Sequence, residues 1–268
     1  MDVKLLNYER SFLFTNSGTA YRPDNTTKNR FTIILSRPIS IPPFAKNVMI
    51  KCLYASIWNT SPNITINQEL HFFRGAIEYV IPISVGLYSV SDMIDTIARF
   101  LAEQSLPDDL ITLTANYATQ RVIFVLKEVN MRIDFTDDNS QLLRVILGFD
   151  NRIVGPTTLV FQQESGDEPA AFNQLNSFHV GTSLLNGGGI RINDGEFSTV
   201  AIIPVTAAPG SQILFTPINA ISLACDSLAG NLVNNVTFWI TDEKQRDIII
   251  NEPFEISLTI TFLARPQD

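Results

Sequence analysis

The sequence predicts a mainly β protein, a β-sandwich interrupted by an inserted α+β domain. Runs rich in β-branched and aromatic residues occur towards both ends of the chain. Apolar residues at helical spacing occur instead in its middle part, between about residues 66 and 155. The chain has 268 residues, of which 45% are hydrophobic and 17% charged, and it can therefore bury a sizeable core.

The sandwich needs strands from both ends of the chain. Residues 1–30 are polar and irregular, which predicts an N-terminal arm rather than a packed element. Two strands, 31–35 and 48–58, follow and are joined by a proline-rich connection. Two strands before the helical region are too few for a sandwich, and about seven after it need partners. We therefore predict one jelly-roll domain from residues 31–65 plus 165–268, with two sequential domains as the alternative topology.

Residues 66–164 are predicted to form the inserted domain, with the element order β-α-β-β-β-α. Ser89, followed three residues later by Asp92, resembles a capping box at the start of the first helix. Asp138 is a candidate N-cap for the second helix, and Gly148 has the position of its C-terminal cap.

The last part of the chain has the clearest strand pattern. Apolar residues from Ile256 to Phe262 alternate strictly with Ser and Thr. The run VTFWITDEKQRDIII predicts a hairpin with its turn at Asp242–Arg246. A short turn is also predicted at Asn193-Asp194-Gly195.

Cysteine and histidine are too few and too scattered to indicate a metal or cofactor site. The two Cys and two His have neither the CxxC nor the HxxxH spacing of a structural zinc site. Cys52 and Cys225 lie in apolar runs and are expected to be buried thiols, although a disulfide between them stays open. His179 is expected on a strand face, and His71 has no evident partner in the neighbouring sequence.

We find no constellation that indicates catalysis and therefore predict no catalytic residue and no enzyme. A nucleophile elbow of the form G-x-S-x-G is absent. Gly187–Gly189 lack the helix with Lys and Ser or Thr that follows a phosphate-binding loop. The acidic groups Asp108-Asp109, Asp137-Asp138 and Glu164–Glu168 fall at predicted turns, caps or linkers, where solvated charges are expected.

The charge balance excludes some partners. The net charge of −8 argues against nucleic acid and against an anionic membrane surface. No apolar run reaches the ~18 residues of a transmembrane helix, and the start MDVKLLNYER does not have the layout of a signal peptide. The 18 Phe, the low charge and the many β edges favour a protein whose surfaces are covered by neighbours.

Several runs of the sequence resemble the penton, or minor capsid, proteins of virophages and Polinton-like viruses. These runs are YASIWNTSPNI, IPISVGLYSVSDMIDTIARFL, ITLTANYATQRVIFVL, IDFTDDNSQLLRVILGF and NNVTFWITDEKQRDIIINEPFEISLTITF. Together they cover most of the chain from about Phe31 to Phe262. Adenovirus penton bases are related in plan, a jelly roll with an insertion.

The resemblance implies a structural role in a virion. Such proteins form homopentamers at the five-fold vertices of an icosahedral capsid, with the inserted domain projecting outward. The implied partners are further copies of the chain, the major capsid protein of the same virus, and a host receptor or fibre. The resemblance implies assembly inside the infected host cell, with no nucleic acid bound and no membrane insertion.

Two points limit what the resemblance implies. The Arg-Gly-Asp receptor motif of many adenovirus pentons is absent, and Phe73-Arg74-Gly75-Ala76 is its nearest approach. A receptor- or glycan-binding viral spike module of jelly-roll type is the alternative function, because jelly rolls serve several roles.

On the penton interpretation we expect inter-subunit contacts at five residues. These are Arg22 in the N-terminal arm, Pro42 and Phe44 in the proline-rich loop, and Asp242 and Arg246 in the hairpin turn. The two loops are expected near an end of the barrel, where they can touch neighbours.

Overall fold

The computed structural model describes residues 6–15, 29–172, 175–185, 191–192, 195–196, 198–250 and 252–264. The chain divides into two units. Unit 1 comprises Met1–Ser61 and Leu175–Asp268, and unit 2 comprises Pro62–Gln174. Unit 1 therefore contains residues from both sides of unit 2 in the sequence. The assignment of unit 2 as the inserted domain of a penton protein stays a prediction.

The described strands and helices follow one another in chain order. They are β1 Leu6–Thr15, β2 Arg30–Ser40, β3 Lys46–Trp58, β4 Gln68–Arg74, β5 Ile77–Ile83, α1 Val90–Glu103, β6 Ile111–Asn116, β7 Arg121–Leu126, β8 Met131–Asp134, α2 Gln141–Leu147, β9 Ile153–Val154, β10 Gln162–Ser165, β11 Ser177–Thr182, β12 Arg191–Ile192, β13 Gly195–Glu196, β14 Thr199–Pro204, β15 Gln212–Phe215, β16 Leu223–Ala224, β17 Leu232–Thr241 and β18 Glu255–Ala264. Short 3-10 helices span Asp138–Ser140 and Asp226–Leu228.

The main strands of unit 1 form two antiparallel sheets. One has the order β1-β18-β3-β15, with β16 also pairing with β3, and the other has the order β14-β11-β17-β2. With β15 and β16 taken as one interrupted strand, the first strand pairs with the last, β2 with β17, β3 with β15 and β11 with β14. This nesting is that of a long hairpin rolled into two sheets, which is a jelly roll. The prediction of a mainly β jelly-roll fold is confirmed.

The core of unit 1 fills the space between the two sheets. From β18 it receives the side chains at 256, 258, 260 and 262, so the strict alternation read in the sequence is the core face of this strand. Phenylalanines from several strands meet there. The ring centroid of Phe238 lies 5.1 Å from that of Phe14 and 5.6 Å from that of Phe31. Such tilted and offset pairs add to the burial of apolar area.

Strand β1 contradicts the expectation that residues 1–30 form an unpacked arm. Leu6–Thr15 pairs with β18 along its whole length. Phe14 is only 3% exposed, and Tyr8 stacks on Phe262 at 5.4 Å between ring centroids. The mainly polar composition of the segment hides a local period of two, in which Tyr8, Phe12 and Phe14 face the core while their neighbours face water.

Unit 2 contains two sheets, of order β5-β4-β8-β9 and β10-β7-β6, and the helices α1 and α2. The predicted order β-α-β-β-β-α lacks β4 at its start and β9 and β10 at its end. Strand β10 has the sequence QQES, which offers no apolar alternation to recognise. Tertiary pairing with β7 therefore makes it a strand.

Two of the three helix caps predicted from the sequence are confirmed. The Ser89 hydroxyl accepts a hydrogen bond from Asp92 N at 3.2 Å, and the Asp92 carboxylate accepts one from Ser89 N at 2.8 Å, so the capping box is confirmed. Gly148 ends α2 in the left-handed region with φ 78°. The proposed N-cap Asp138 is wrong. A 3-10 turn precedes α2, and Asp137 caps that turn by accepting a hydrogen bond from Asn139 N.

Two predicted loops lie partly or wholly outside the described residues. Gly187–Gly189 is one of them, and Asn193-Asp194 in the predicted turn is the other. The strands on either side of that turn, β12 and β13, pair with each other in antiparallel register.

Gly181 leaves room for a large side chain on the next strand. It lies directly opposite Trp239 in the β11–β17 register. A Cβ at Gly181 would lie 2.1 Å from Trp239 Nε1, closer than two atoms can approach. The guanidinium carbon of Arg30 lies 5.3 Å from the centre of the Trp239 ring. The indole is thus held between a glycine backbone and a cation.

We expect Gly181→Ala to lower the free energy of unfolding by about 1–3 kcal/mol, because the indole must move to admit the methyl group. Denaturant unfolding followed by circular dichroism measures this change. Trp239→Leu serves as the matched background. If Gly181→Ala costs as much in that background as in the parent, contact with the indole is not the cause.

The place of β1 in the core is tested by two adjacent substitutions. We expect Phe14→Ala to cost about 3–5 kcal/mol, because it empties a buried ring site. Leu13→Ala should cost little, because Leu13 is 65% exposed. Equal and small effects in thermal unfolding would contradict a structural role for β1.

Candidate assembly surface

The first predicted contact loop is the tight turn between β2 and β3. The Pro42 carbonyl accepts a hydrogen bond from Ala45 N at 3.0 Å, which closes the turn. Phe44 is exposed beyond it, while Pro42 is half-buried. The turn therefore presents an aromatic side chain, 51% exposed, to the solvent.

The second predicted loop is held together by the carboxylate of Asp242. Its Oδ1 accepts hydrogen bonds from Lys244 N and Arg246 N, both at 2.8 Å, and its Oδ2 accepts one from Arg246 Nε at 2.6 Å. The Asp242 side chain is 4% exposed and that of Arg246 is 62% exposed. The buried Asp242 carboxylate therefore stabilises the loop, and Arg246 is the member of the pair that is exposed to the solvent.

The two loops lie at opposite ends of the sandwich. In the β2–β17 register, Leu232 opposes Ser40 and Trp239 opposes Arg30. The Pro42 turn therefore lies beside the start of β17, whereas the Asp242 turn follows its end. They form two surfaces rather than one, and Arg22 lies outside the described residues. Contact of these five residues with a neighbouring subunit stays a prediction.

The chain leaves unit 1 and returns to it at the same end of the sandwich, the end that carries the Asp242 turn. Strand β3 runs away from the Pro42 turn and ends at Trp58, shortly before Ser61. Strand β11 starts beside Thr241, which opposes His179. The end of the sandwich that carries the Asp242 turn is thus also the end at which the chain leaves for unit 2 and returns.

Strand β15 and the loop that follows it carry exposed apolar side chains, which form an apolar surface that the sequence did not predict. It consists of Leu214, Ile218 and Ile221, which we call the edge surface, and Ile218 is 99% exposed. Beside it lies a cleft of about 270 Å³, lined by residues of β3, β14, β15 and the loop after β15. Strands β14 and β15 are edge strands of the two sheets. Exposed apolar side chains beside open strand edges are typical of contact surfaces.

His71 has partners, contrary to the expectation from the sequence. Its Nδ1 lies 2.9 Å from Glu78 Oε1, and its Nε2 lies 3.3 Å from Glu69 Oε2 and 3.9 Å from Asp137 Oδ1. Burial by itself lowers the pKa of His71, but the hydrogen bond to Glu78 and the charge of Asp137 outweigh it, so the pKa is raised. The two strands of the β4–β5 hairpin and the turn before α2 bring these side chains together. We call these four residues the imidazole–carboxylate cluster.

The two cysteines and the second histidine are buried in unit 1. Cys52 and Cys225 are free thiols, and burial raises the pKa of each to about 12. His179 lies on strand β11, as expected, and accepts a hydrogen bond at Nδ1 from Gln245 Nε2 at 2.8 Å. Burial lowers the pKa of His179, against the smaller opposing effect of the charges of Glu243 and Asp242.

Comparison with solved structures finds matches to this chain, among them a viral penton protein. A crystal structure of the selenomethionine-labelled mavirus penton protein matches over 97% of this chain and 99% of that chain, with 12% sequence identity and a TM-score of 0.48. No protein-family model matches the sequence, and no curated protein matches it. Within the described residues, no helix has both the length and the apolar character needed to span a membrane.

The lowered pKa of His179 predicts a loss of stability in mild acid. The neutral imidazole contributes stability above the unfolded-state pKa of about 6.5, and this contribution is lost as the pH falls through the lower folded-state pKa. We expect His179→Asn to have a flatter dependence of unfolding free energy on pH between about 7.5 and 5. Carboxylate titration is common to both proteins, so identical pH profiles would contradict the assignment.

Proposed function

We propose that the protein is a penton-type minor capsid protein that forms homopentamers at the five-fold vertices of an icosahedral virion. The observation that carries the proposal is the jelly roll of unit 1, from which the chain departs between β3 and β11 to build unit 2. The resemblance of the sequence runs to virophage penton proteins supports the same role.

We place the contact between subunits at the edge surface. A nearly fully exposed isoleucine is unfavourable in water, and covering one such side chain contributes about 1.5–3 kcal/mol. A five-membered ring repeats a heterologous contact, in which one surface of each subunit meets a different surface of the next. The edge surface of one copy would therefore meet another region of its neighbour. Phe44 and Arg246 are candidates for that second region, because both are exposed.

The remaining partners follow from a vertex position. The major capsid protein of the same virus would surround the pentamer, and unit 2 would project outward, where a host receptor or fibre is a candidate ligand. The chain would be assembled into capsids inside the infected host cell. A receptor- or glycan-binding spike module is the competing function.

Light scattering of the purified chain over a concentration series tests the proposal. We expect a species of five times 29.9 kDa. The double variant Ile218→Asp, Ile221→Asp should shift the equilibrium to monomer, because two charges cannot be buried without partners. Ile34→Asp is the matched control, since Ile34 is exposed on β2, away from the edge surface.

Other outcomes separate the alternatives. A trimer that binds glycans on an array would favour the spike module over the vertex protein. A monomer that also fails to enter capsids when mixed with the major capsid protein would contradict the proposal. Unchanged assembly of the double variant would contradict only the position of the contact.

A further inference from the structure

The outer face of strand β4 concentrates negative charge around one imidazole. Leu70 and Phe72 of this strand face the core of unit 2, so His71 faces the other way, with its side chain 13% exposed. Glu69, Glu78 and Asp137 each approach a ring nitrogen, and Asp134 opposes His71 in the β4–β8 register. Within the described part of the chain, no Lys or Arg forms an ion pair with any of these four carboxylates.

Glu78 determines which ring nitrogen is free. An ionised carboxylate can only accept a hydrogen bond, so Nδ1 must be the donor in its 2.9 Å contact with Glu78 Oε1. In the neutral ring, this leaves the lone pair of Nε2 pointing towards Glu69 and Asp137. A carboxylate that orients an imidazole through its second nitrogen is the usual arrangement around histidine ligands of metals.

Three side chains each place one acceptor atom around the same small space beside the His71 ring. One ligand atom from each of His71, Glu69 and Asp137 lies within 4.8 Å of the other two. A tetrahedral zinc ion with ligands at about 2.0–2.1 Å requires about 3.3 Å between ligand atoms. The separation of Nε2 from Glu69 Oε2 is 3.3 Å, and that from Asp137 Oδ1 is 3.9 Å. Small rotations of two surface carboxylates would complete the set.

The two oxygens are positioned by one neighbouring residue and keep a lone pair free. Asn139 Nδ2 donates to Glu69 Oε2 at 3.0 Å, and Asn139 N donates to Asp137 Oδ1 at 2.8 Å. A carboxylate oxygen can accept a second interaction beyond one such hydrogen bond. The Glu69 and Asp137 side chains are each 41% exposed, so an ion can reach both carboxylates from the solvent.

We propose that His71, Glu69 and Asp137 bind a divalent zinc ion, with Glu78 as a positioning residue. Imidazole among the ligands selects zinc and related transition metals over Mg²⁺ and Ca²⁺, which prefer oxygen ligands alone. The solvent side completes the coordination with water. This proposal departs from the sequence-based expectation of no metal site, and it does not depend on the assembly proposed above.

The ion would join parts of unit 2 that are distant in sequence. Glu69 and His71 lie on β4, whereas Asp137 caps the 3-10 turn before α2. A neighbouring connection already exists, because Gln68 Oε1 accepts hydrogen bonds from the backbone N–H groups of Leu142 and Leu143. A bound ion would add a further connection between β4 and the turn before α2 and so raise the thermal stability of unit 2.

The rest of the chain offers little competition for zinc. His179 is the only other histidine, and its Nδ1 is engaged by Gln245. The two cysteines are buried, and each thiol has a pKa raised to about 12, so neither supplies a thiolate at neutral pH. Among the described residues, no other group of three or more His, Cys, Asp or Glu side chains is close enough together to hold a metal ion.

The test is calorimetric titration of zinc chloride into the full chain without a polyhistidine tag. We expect saturation at one ion per chain and an upward shift of the thermal midpoint. NMR of the imidazole resonances gives a second measurement, because the chain has only two histidines. Zinc should shift the signals of His71 and leave those of His179 in place.

Variants locate the site. We expect His71→Gln and Asp137→Asn to weaken binding at least tenfold, and Glu78→Gln to weaken it about tenfold, because a neutral amide no longer raises the basicity of the ring. Asn at position 137 keeps an oxygen that can accept the hydrogen bond from Asn139 N, so the turn should persist. Asp95→Asn, an exposed acid on α1, is the matched control and should bind as the parent does.

Three results would overturn the proposal. Absence of saturable zinc binding would show that the cluster is an imidazolium held by carboxylates. Undiminished binding by a folded His71→Gln variant would place the ion elsewhere. Equal binding of Mg²⁺ at the same concentrations would indicate attraction to surface charge without an imidazole ligand.

Discussion

The pairing of β18 with β1 on one side and β3 on the other is the constraint on which unit 1 depends. Strand β18 lies in the interior of its sheet and directs Ile256, Leu258 and Ile260 into the core. Between β3 and β18 the chain builds both unit 2 and most of the second sheet. Loop-closure entropy grows only logarithmically with length, by about 0.6 kcal/mol per doubling. A long inserted segment is therefore tolerated, provided that the strands of the sandwich already hold its two ends close together.

Polar side chains hold the loops in place at the end of the sandwich that carries the Asp242 turn. Asn59 Nδ2 donates to Ala207 O at 2.9 Å, and Asn29 Nδ2 donates to Ile240 O at 3.2 Å. Asp242 satisfies two backbone N–H groups of its own turn. A buried donor without a partner costs about 1–3 kcal/mol, so these contacts select one loop conformation over its competitors. Among the described residues, Thr60 Oγ1 alone is a buried side-chain polar atom without a hydrogen bond.

The two units present surfaces of different chemistry. The edge surface of unit 1 is apolar, and its burial suits a lasting contact between copies of a folded chain. The imidazole–carboxylate cluster of unit 2 is charged and directional, and it suits a small cation. Assembly and ion binding would thus use separate surfaces within one chain. A change that weakens one need not alter the other, because the two surfaces belong to different units.

The sequence by itself determined the periodic and local features. These features depend on residues close together in the chain, so the sequence alone could predict them. They are the alternation in β18, the capping box at Ser89 and the C-terminal cap at Gly148. The tertiary structure decided whatever depends on distant partners. Leu6–Thr15 is a strand because β18 offers it an edge, and QQES is one because β7 does. Likewise, the solvent exposure of Ile218 and the contacts of His71 with Glu78 and Asp137 follow only from packing and register, which no local pattern encodes.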